Sequence, residues 1–515
     1  MNLELRVVIR QLGLLVLILS ALIAGVALFA GYERITNADG DGADLTAMLV
    51  TAVIGAVTGG ILFIGGRKGA DLLGQHEALL LVGLSWLIGA GLACLPFRLW
   101  SVFHGSAGGA PHPFDTFVNC YFEAMSGLTT TGATIVTSLE TVPRSLLLWR
   151  SLIQWLGGLG IVVLFVAVLP MLGVGSRRIY RIEAPGPSPE GVKPRIADTA
   201  RILWLIYCGL TVLEVLVLRV CGMTWFDAVC HTFTTLATGG FGTQDASIAA
   251  FPATAIQVVI IVFMLLAGVN FGLYHQLIQR NWRAVRKDPE LRVYLTLIVV
   301  ATAILTVSLL RSGAGAQATL GEPATLGNTI RHALFQTVSI QTTTGFGSSD
   351  FDQWGFAAKA TLLMLMFVGG SAGSTGGGIK VVRILIAAKV MLAEIEHVYR
   401  PKVVRPIKIG RTAIDPELKL TTMVYVLGIG LLFALGTVLL MLFESGQQID
   451  ITSAASACAA TLNNVGPGLG KVGPVQNYAW FSDASKVVMS VLMLLGRLEM
   501  FTVLVLFSPR FWRSS

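Results

Sequence analysis

Long and short apolar stretches alternate along the chain. A helix that crosses a bilayer needs about 20 apolar residues. By that measure the pattern predicts ten spans, the eighth interrupted by glycines: 10–32, 45–66, 78–100, 145–172, 200–221, 253–279, 292–311, 356–399, 418–443 and 484–508. Four further apolar segments, of about 12 to 15 residues, are too short to cross and are predicted to be re-entrant half-helices. They are 114–128, 225–237, 328–341 and 450–461.

Composition supports the same class of protein. Of the 515 residues, 54% are hydrophobic and only 13% are charged, whereas soluble globular chains carry about 25% charged residues. The net charge of +8 does not indicate a nucleic-acid partner, because the basic residues lie in short loops between apolar segments. The six cysteines have no metal-ligand spacing and are predicted to be packing residues. The sequence therefore predicts an all-α polytopic membrane protein.

Lys and Arg residues are concentrated in three connecting segments, 174–201, 280–292 and 380–419, and Asp and Glu predominate in the opposite loops. Basic loops stay in the cytoplasm, so both termini are predicted to be cytoplasmic. Arg6 and Arg10 precede the first apolar run without a cleavage site after it, which favours a retained first span. The short segments then enter the membrane from the outer face, whose acidic residues would concentrate cations.

A glycine turn follows each short segment. The four turns are LTTTGAT (Gly132), LATGGFG (Gly239), TTTGFG (Gly345) and NNVGPG (Gly466), separated by 107, 106 and 121 residues. This recurrence predicts four span–half-helix–span repeats with pseudo-fourfold symmetry around a central pore, plus two leading transmembrane helices. The predicted units are the leading helices at 1–70 and the repeats at 71–175, 176–285, 286–405 and 406–515, with an intramembrane glycine loop in the third repeat.

The turns suit a dehydrated cation. Backbone carbonyls can replace the hydration shell of a cation, and glycine permits the backbone angles that turn successive carbonyls inward. The C-terminal ends of the half-helices add about −0.5 charge each. The predicted ion-binding residues are Thr130, Thr131, Gly132, Ala237, Thr238, Gly239, Thr343, Thr344, Gly345, Asn464, Val465 and Gly466.

Six glycines fall between Gly369 and Gly378, followed by Lys380, and Arg497 lies in a later apolar span. Irregular backbone at membrane depth occurs only where protein covers it or where it lines a cavity, and a charge there is a functional candidate. A gate is therefore predicted from Gly369, Gly370, Gly373, Gly376, Gly377, Gly378, Lys380 and Arg497. Two alternatives stay open. Arg497 could pair only with Glu499 or with loop carbonyls and stabilise the bundle, and Lys380 could be an ordinary cytoplasmic-side lysine.

The remaining polar residues in apolar segments have simpler interpretations. Glu123 is predicted to brace the first turn through hydrogen bonds, and Asn270 and His275 are predicted to serve packing. A membrane enzyme would need acid, base or metal residues clustered at one depth, and the sequence offers none, so no catalytic residues are predicted. Coupling of the transported cation to sodium or protons remains an alternative to a channel.

The turn motifs TTTGAT (129–134), ATGGFG (237–242), TTTGFG (342–347) and NNVGPG (463–468), with WLGGLGIVVL (155–164), GGSAGSTGGGIK (369–380) and GRLEMFTVLVLF (496–507), resemble the TrkH/KtrB/HKT superfamily of potassium transporters over nearly the whole chain. The two leading spans resemble its TrkH branch. The resemblance implies K⁺ as the transported ion, no covalently bound cofactor, and a homodimer in the bacterial cytoplasmic membrane. It also implies regulation by cytosolic TrkA-type nucleotide-binding subunits, which segment 400–419, with Arg405 and Arg411, is predicted to contact.

Overall fold

A computed structural model of the chain describes residues 4–36, 42–67, 74–105, 112–158, 160, 196–311, 323, 325–401, 406–410, 412–447 and 449–512. Its helices are α1 (Leu5–Thr36), α2 (Ala43–Gly65), α3 (Gln75–Ala93), α4 (Leu95–His104), α5 (Phe117–Leu128), α6 (Arg144–Gly158), α7 (Ile196–Val220), α8 (Trp225–Leu236), α9 (Thr254–Ala267), α10 (Phe271–Ile278), α11 (Trp282–Lys287), α12 (Pro289–Arg311), α13 (Leu326–Gln341), α14 (Phe356–Met366), α15 (Val381–Tyr399), α16 (Pro416–Phe443), α17 (Ile451–Leu462), α18 (Asp483–Arg497), α19 (Met500–Leu504) and α20 (Pro509–Trp512).

Six helical stretches of the described chain are long and apolar enough to cross a membrane: α1, α2, α3 with α4, α7, α12 and α16. Two further stretches are bent pairs, α9 with α10 at 93° and α18 with the helix after it at 117°. The predicted spans 253–279 and 484–508 are therefore not continuous helices, because the first is interrupted between Ala267 and Phe271 and the second between Arg497 and Met500. The predicted span 145–172 is described only through Gly158; its remainder lies outside the described residues.

The four short helices α5, α8, α13 and α17 lie in the four segments that are predicted to be half-helices. Each begins at a side-chain cap that accepts a hydrogen bond from the amide three residues on, which satisfies one of the donors left open at a helix start. The caps are Thr116, Thr224, Thr325 and Asp450. Each helix therefore starts at a defined residue and points its C-terminal end at the turn that follows.

Packing joins the four repeats in a closed cycle. Each short helix contacts the two helices that flank it in its own repeat. Each also contacts the helix that follows the turn in the preceding repeat: α8 packs on α6, α13 on α9, α17 on α14, and α5 on α18 of the fourth repeat. The fourth repeat thus closes on the first, and the four turns meet inside the bundle.

Two elements lie beneath the turns. The glycine loop connects α14 to α15, and its ends approach each other at a parallel bridge between Val368 and Ile379. Beyond α15, strands β1 (Lys408–Ile409) and β2 (Thr412–Ala413) form a short antiparallel hairpin. The hairpin lies in the most basic connecting segment, on the side predicted to be cytoplasmic.

Candidate functional site

The four turns share one backbone conformation. Thr130, Thr238, Thr343 and Asn464 have φ of 54°, 55°, 62° and 55°, values that side-chain-bearing residues seldom adopt. Two positions on, Gly132, Gly240, Gly345 and Gly466 have φ of 81°, 73°, 81° and 95°. The shared angles show that the four segments are equivalent in structure as well as in sequence.

These angles correct the predicted alignment of the second turn. Gly240, and not Gly239, has the left-handed backbone of Gly132. Gly239 instead matches Thr131, because its amide and that of Thr131 bond to Thr234 and Ser126 at the same offset. Ala237, predicted as an ion-binding residue, is the C-terminal cap of α8. The slip arose because this turn alone has two adjacent glycines, and sequence spacing cannot tell which one carries the positive φ.

The turns approach one another closely in the same cyclic order as the helices. A Cβ placed on Gly132 would lie 2.1 Å from the carbonyl oxygen of Gly239, and one on Gly240 would lie 1.9 Å from that of Thr344. On Gly345 it would lie 2.1 Å from the oxygen of Val465, and on Gly466 it would lie 2.5 Å from that of Thr131. Only glycine permits such contacts, so the four turns form a ring of touching backbones.

Several carbonyl groups in this ring have no internal donor. Among the described residues, no donor hydrogen-bonds to the carbonyl oxygens of Thr131, Thr344 or Val465. Buried carbonyls are nearly always paired, so these oxygens are available to a ligand. Gly132, Gly240, Gly345 and Gly466 together line one cavity of about 120 Å³. The ring therefore opens into a single polar vestibule.

A buried ion pair supports the first turn. Glu123 accepts hydrogen bonds from the Thr134 hydroxyl (2.9 Å) and the Ile135 amide (2.9 Å), and an oxygen of Glu123 lies 2.7 Å from Arg150. Neither charged side chain is more than 1% exposed. Arg150 also lies over the Phe241 ring of the second turn, 4.1 Å from its centroid. Glu123 thus braces the turn as predicted. Arg150 was not predicted to take part, although an arginine within an apolar segment is itself a sign of a special role.

The other junctions between turns also depend on side chains. Gln154 of α6 donates to the Gly239 carbonyl (2.7 Å) and accepts from the Phe241 amide (3.1 Å). Asn464 in the fourth turn donates to the Thr131 hydroxyl (2.9 Å). Tyr478 donates from its hydroxyl to the Gly466 carbonyl (2.7 Å). These contacts fix the ring from outside and leave the unpaired carbonyls accessible.

The glycine loop lies directly beneath the ring. The Gly377 amide donates to the Thr343 hydroxyl (2.7 Å) in the third turn. The Ser371 amide donates to the Gly268 carbonyl (2.9 Å), and Gly373 accepts from the Phe271 amide (3.0 Å). The loop is therefore bound both to the third turn and to the break between α9 and α10.

Arg497 completes this layer from the fourth repeat. Its guanidinium donates to Thr375 of the glycine loop (2.7 Å), to Gly158 (2.8 Å) and to Gly157, all through carbonyl oxygens. Contacts from the loop and Arg497 thus reach all four repeats. Helix α18 ends at this arginine. Glu499, with φ of 56°, forms an ion pair with Arg383 at 2.7 Å.

The remaining predicted residues have these positions. The Lys380 ammonium donates to the Gly376 carbonyl within the loop. Asn270 caps α10 by accepting from the Gly272 amide (2.7 Å), and His275 bonds to Gln279 (2.9 Å). Arg405 and Arg411 lie outside the described residues. In the described part of the chain, no group of three or more His, Cys, Asp or Glu residues could hold a metal ion.

Comparison with known proteins agrees with this architecture. Residues 104–514 match the family TrkH, described as a cation transport protein. The chain is 39% identical over 514 residues to the Trk system potassium uptake protein TrkH of Salmonella typhimurium, covering 99% of both chains. It is 32% identical over 472 residues to the Trk system potassium uptake protein TrkG of Escherichia coli, covering 91% of this chain and 92% of that one.

A solved structure shows the same fold. The crystal structure of the potassium transporter TrkH from Vibrio parahaemolyticus superposes with a TM-score of 0.84 at 34% identity, covering 99% of this chain and 100% of that one. The matches span nearly the full length of both partners, and they confirm the prediction of a membrane transporter over a membrane enzyme. The chain therefore belongs to the TrkH family of cation transport proteins.

Proposed function

We propose that this protein takes up K⁺ across the bacterial cytoplasmic membrane through the ring of four turns. The observation that carries the proposal is the closed ring of backbones, in one conformation, whose carbonyls at Thr131, Thr344 and Val465 have no described donor. Such oxygens can take the place of water around a permeating ion. The ion-binding residues proposed are Thr130–Gly132, Thr238–Gly240, Thr343–Gly345 and Asn464–Gly466.

The choice of K⁺ rests on the relatives, which are named potassium uptake proteins, and on the neutral composition of the ring. Neutral carbonyl and hydroxyl ligands bind a cation weakly enough to release it, whereas a ring of carboxylates would hold it. The ion is cargo here, and no resident metal is needed.

A direct test uses the purified chain in liposomes with K⁺ or Na⁺ gradients. K⁺ flux is expected to exceed Na⁺ flux by at least an order of magnitude. Equal fluxes would show that the ring does not select K⁺ over Na⁺. Reversal potentials under separate K⁺, Na⁺ and pH gradients distinguish a channel from the alternative, a symporter coupled to sodium or protons. In a channel the reversal potential follows the K⁺ gradient alone.

The glycine loop and Arg497 are proposed as the gate. Together they contact all four repeats directly under the ring, and a positive charge there opposes a permeating cation. Arg497→Ala and deletion of Gly373–Gly378 are each expected to raise K⁺ flux severalfold in the same liposomes. Arg311→Ala, at the end of α12, serves as the matched control. Unchanged flux in both gate variants would contradict the gate.

The assembly is proposed on the resemblance and on the charge pattern. We expect a homodimer with both termini cytoplasmic, and a cytosolic ring of TrkA-type nucleotide-binding subunits that contacts segment 400–419. Reversing the charge of Arg405 and Arg411 should weaken co-purification with that ring. Undiminished co-purification would move the contact elsewhere.

A further inference from the structure

A carboxylate that the proposed gate does not include clasps both ends of the glycine loop. Glu290 lies in the first turn of α12 and is 8% exposed. One of its oxygens, Oε1, accepts the Ala372 amide (2.7 Å) and the Val382 amide (3.1 Å). Ala372 belongs to the loop, and Val382 lies in the first turn of α15. Amides in a helix's first turn have no acceptor inside the helix, and negative charge at that end is favourable.

We propose that Glu290 is a positioning residue that holds the glycine loop in its blocking conformation and links the loop to the β1–β2 hairpin. The inference rests on the gate proposed above. A single carboxylate oxygen that bridges the loop to the start of α15 ties the two ends of the loop to one point on α12. The loop cannot move away from the ring without breaking at least the Ala372 bond.

The hairpin packs on the same place. Ala372, Val382 and Ile386 form one buried apolar cluster with Ile414, directly after β2. Ile407 and Ile409 of the first hairpin arm pack against that cluster, and Ile414 donates its amide to the Ile407 carbonyl (2.8 Å). A loop residue thus shares its hydrophobic contacts with the hairpin.

The hairpin also lies close to the start of α12. A Cβ placed on Gly410, between the two strands, would lie 3.7 Å from the ring of Pro289, the residue before Glu290. The hairpin therefore packs against the apolar cluster of Ala372 on the loop side, and it lies beside Pro289, the neighbour of Glu290, on the α12 side.

The clasp is tested by the acceptor it supplies. Glu290→Ala removes the acceptor and Glu290→Asp withdraws it by one methylene, whereas Glu290→Gln keeps a neutral acceptor oxygen in place. Losing hydrogen bonds to a charged group shifts an equilibrium by about tenfold or more. Basal K⁺ flux in liposomes is expected to rise about tenfold in E290A and E290D and to stay within about threefold of wild type in E290Q.

A second measurement does not depend on flux. Hydrogen exchange followed by mass spectrometry should show faster exchange in peptides covering 367–383 in E290A and E290D, with the rest of the chain unchanged. Ile414→Ala should also speed exchange in those peptides. Leu420→Ala, which truncates a side chain that is 67% exposed on α16, should not.

The outcomes separate the clasp from the gate. If deletion of Gly373–Gly378 raises flux but E290A and E290D leave flux and exchange unchanged, the clasp is wrong and the gate stands. If none of these variants raises flux, the gate and the clasp both fall. If E290Q behaves like E290A, the acceptor oxygen is not what holds the loop, and the proposal is overturned.

Discussion

Two neighbouring glycines in the second turn offer a sharp test of the ring. In Gly240→Ala the alanine must adopt a φ of 73°, and its Cβ would lie 1.9 Å from the Thr344 carbonyl oxygen. The left-handed backbone costs an alanine about 1–2 kcal/mol, and the clash with the backbone of the buried Thr344 costs about 1–3 kcal/mol more. The sum, about 2–5 kcal/mol, falls on the contact between the second and third turns.

Gly239→Ala is the matched variant. Gly239 does not have a positive φ, and its Cβ would lie 2.5 Å from the amide carbon of Gln154. Moving that side chain away weakens its two hydrogen bonds to the turn, at a cost of about 0.5–1.5 kcal/mol each, but no backbone has to be strained. Gly242→Ala, whose closest contact would be 3.4 Å, is the control for expression and insertion.

The assay is K⁺ uptake in a bacterial strain without its own uptake systems, normalised to the amount of protein in the membrane. G240A should lose most of its uptake, G239A should lose less, and G242A should match wild type. A larger loss in G239A than in G240A would refute the equivalence of Gly240 with Gly132, Gly345 and Gly466. It would restore the alignment based on sequence spacing.

Two further predictions concern stability. Arg150→Met leaves Glu123 as an unpaired buried charge, which costs about 3–5 kcal/mol; the Tm of the detergent-solubilised protein should fall markedly, and the double variant with Glu123→Gln should recover part of the loss. Equal Tm values in the single and double variants would show that the pair does not act as a unit. For Glu444, after α16, burial raises the pKa, but hydrogen bonds from Ser482 and Ser485 outweigh it, so the net pKa is lowered. A carboxylate with a lowered pKa in the folded state stabilises the fold at pH values above the pKa of the unfolded chain, about 4.3, and that stabilisation is lost as the pH falls. Glu444→Gln should therefore lower Tm at pH 7 and have little effect on Tm at about pH 3. A lower Tm that persists in acid would contradict this assignment.

The sequence located the four short helices to within about three residues, because each combines a half-length apolar run with a glycine turn. It failed where the answer depended on contacts between distant residues. Arg150 forms an ion pair with Glu123 on another helix. Glu290 lies in a basic connecting segment and accepts a hydrogen bond from Ala372, which is 82 positions away. Neither pairing has a local signature.

The breaks in the later spans were missed for a related reason. The segments 253–279 and 484–508 are predominantly apolar, so hydropathy predicts straight helices. The structure bends them at Gly268–Asn270 and Leu498–Glu499. At the first bend, the Gly268 carbonyl and the Phe271 amide bond to Ser371 and Gly373 of the glycine loop. Tertiary hydrogen bonds replace those of the helix, and no single segment encodes them.

The bond from Asn464 to Thr131 joins the last quarter of the ring to the first with a side chain found in no other quarter at that position. In a passage assembled from four identical subunits, a substitution enters at every corner at once. Here all four quarters belong to one chain, so a single substitution changes only one quarter of the ring. In the proposed filter, selectivity and conductance can therefore be adjusted one quarter at a time, and the unequal quarters provide distinct contacts for the glycine loop, which comes from the third repeat alone.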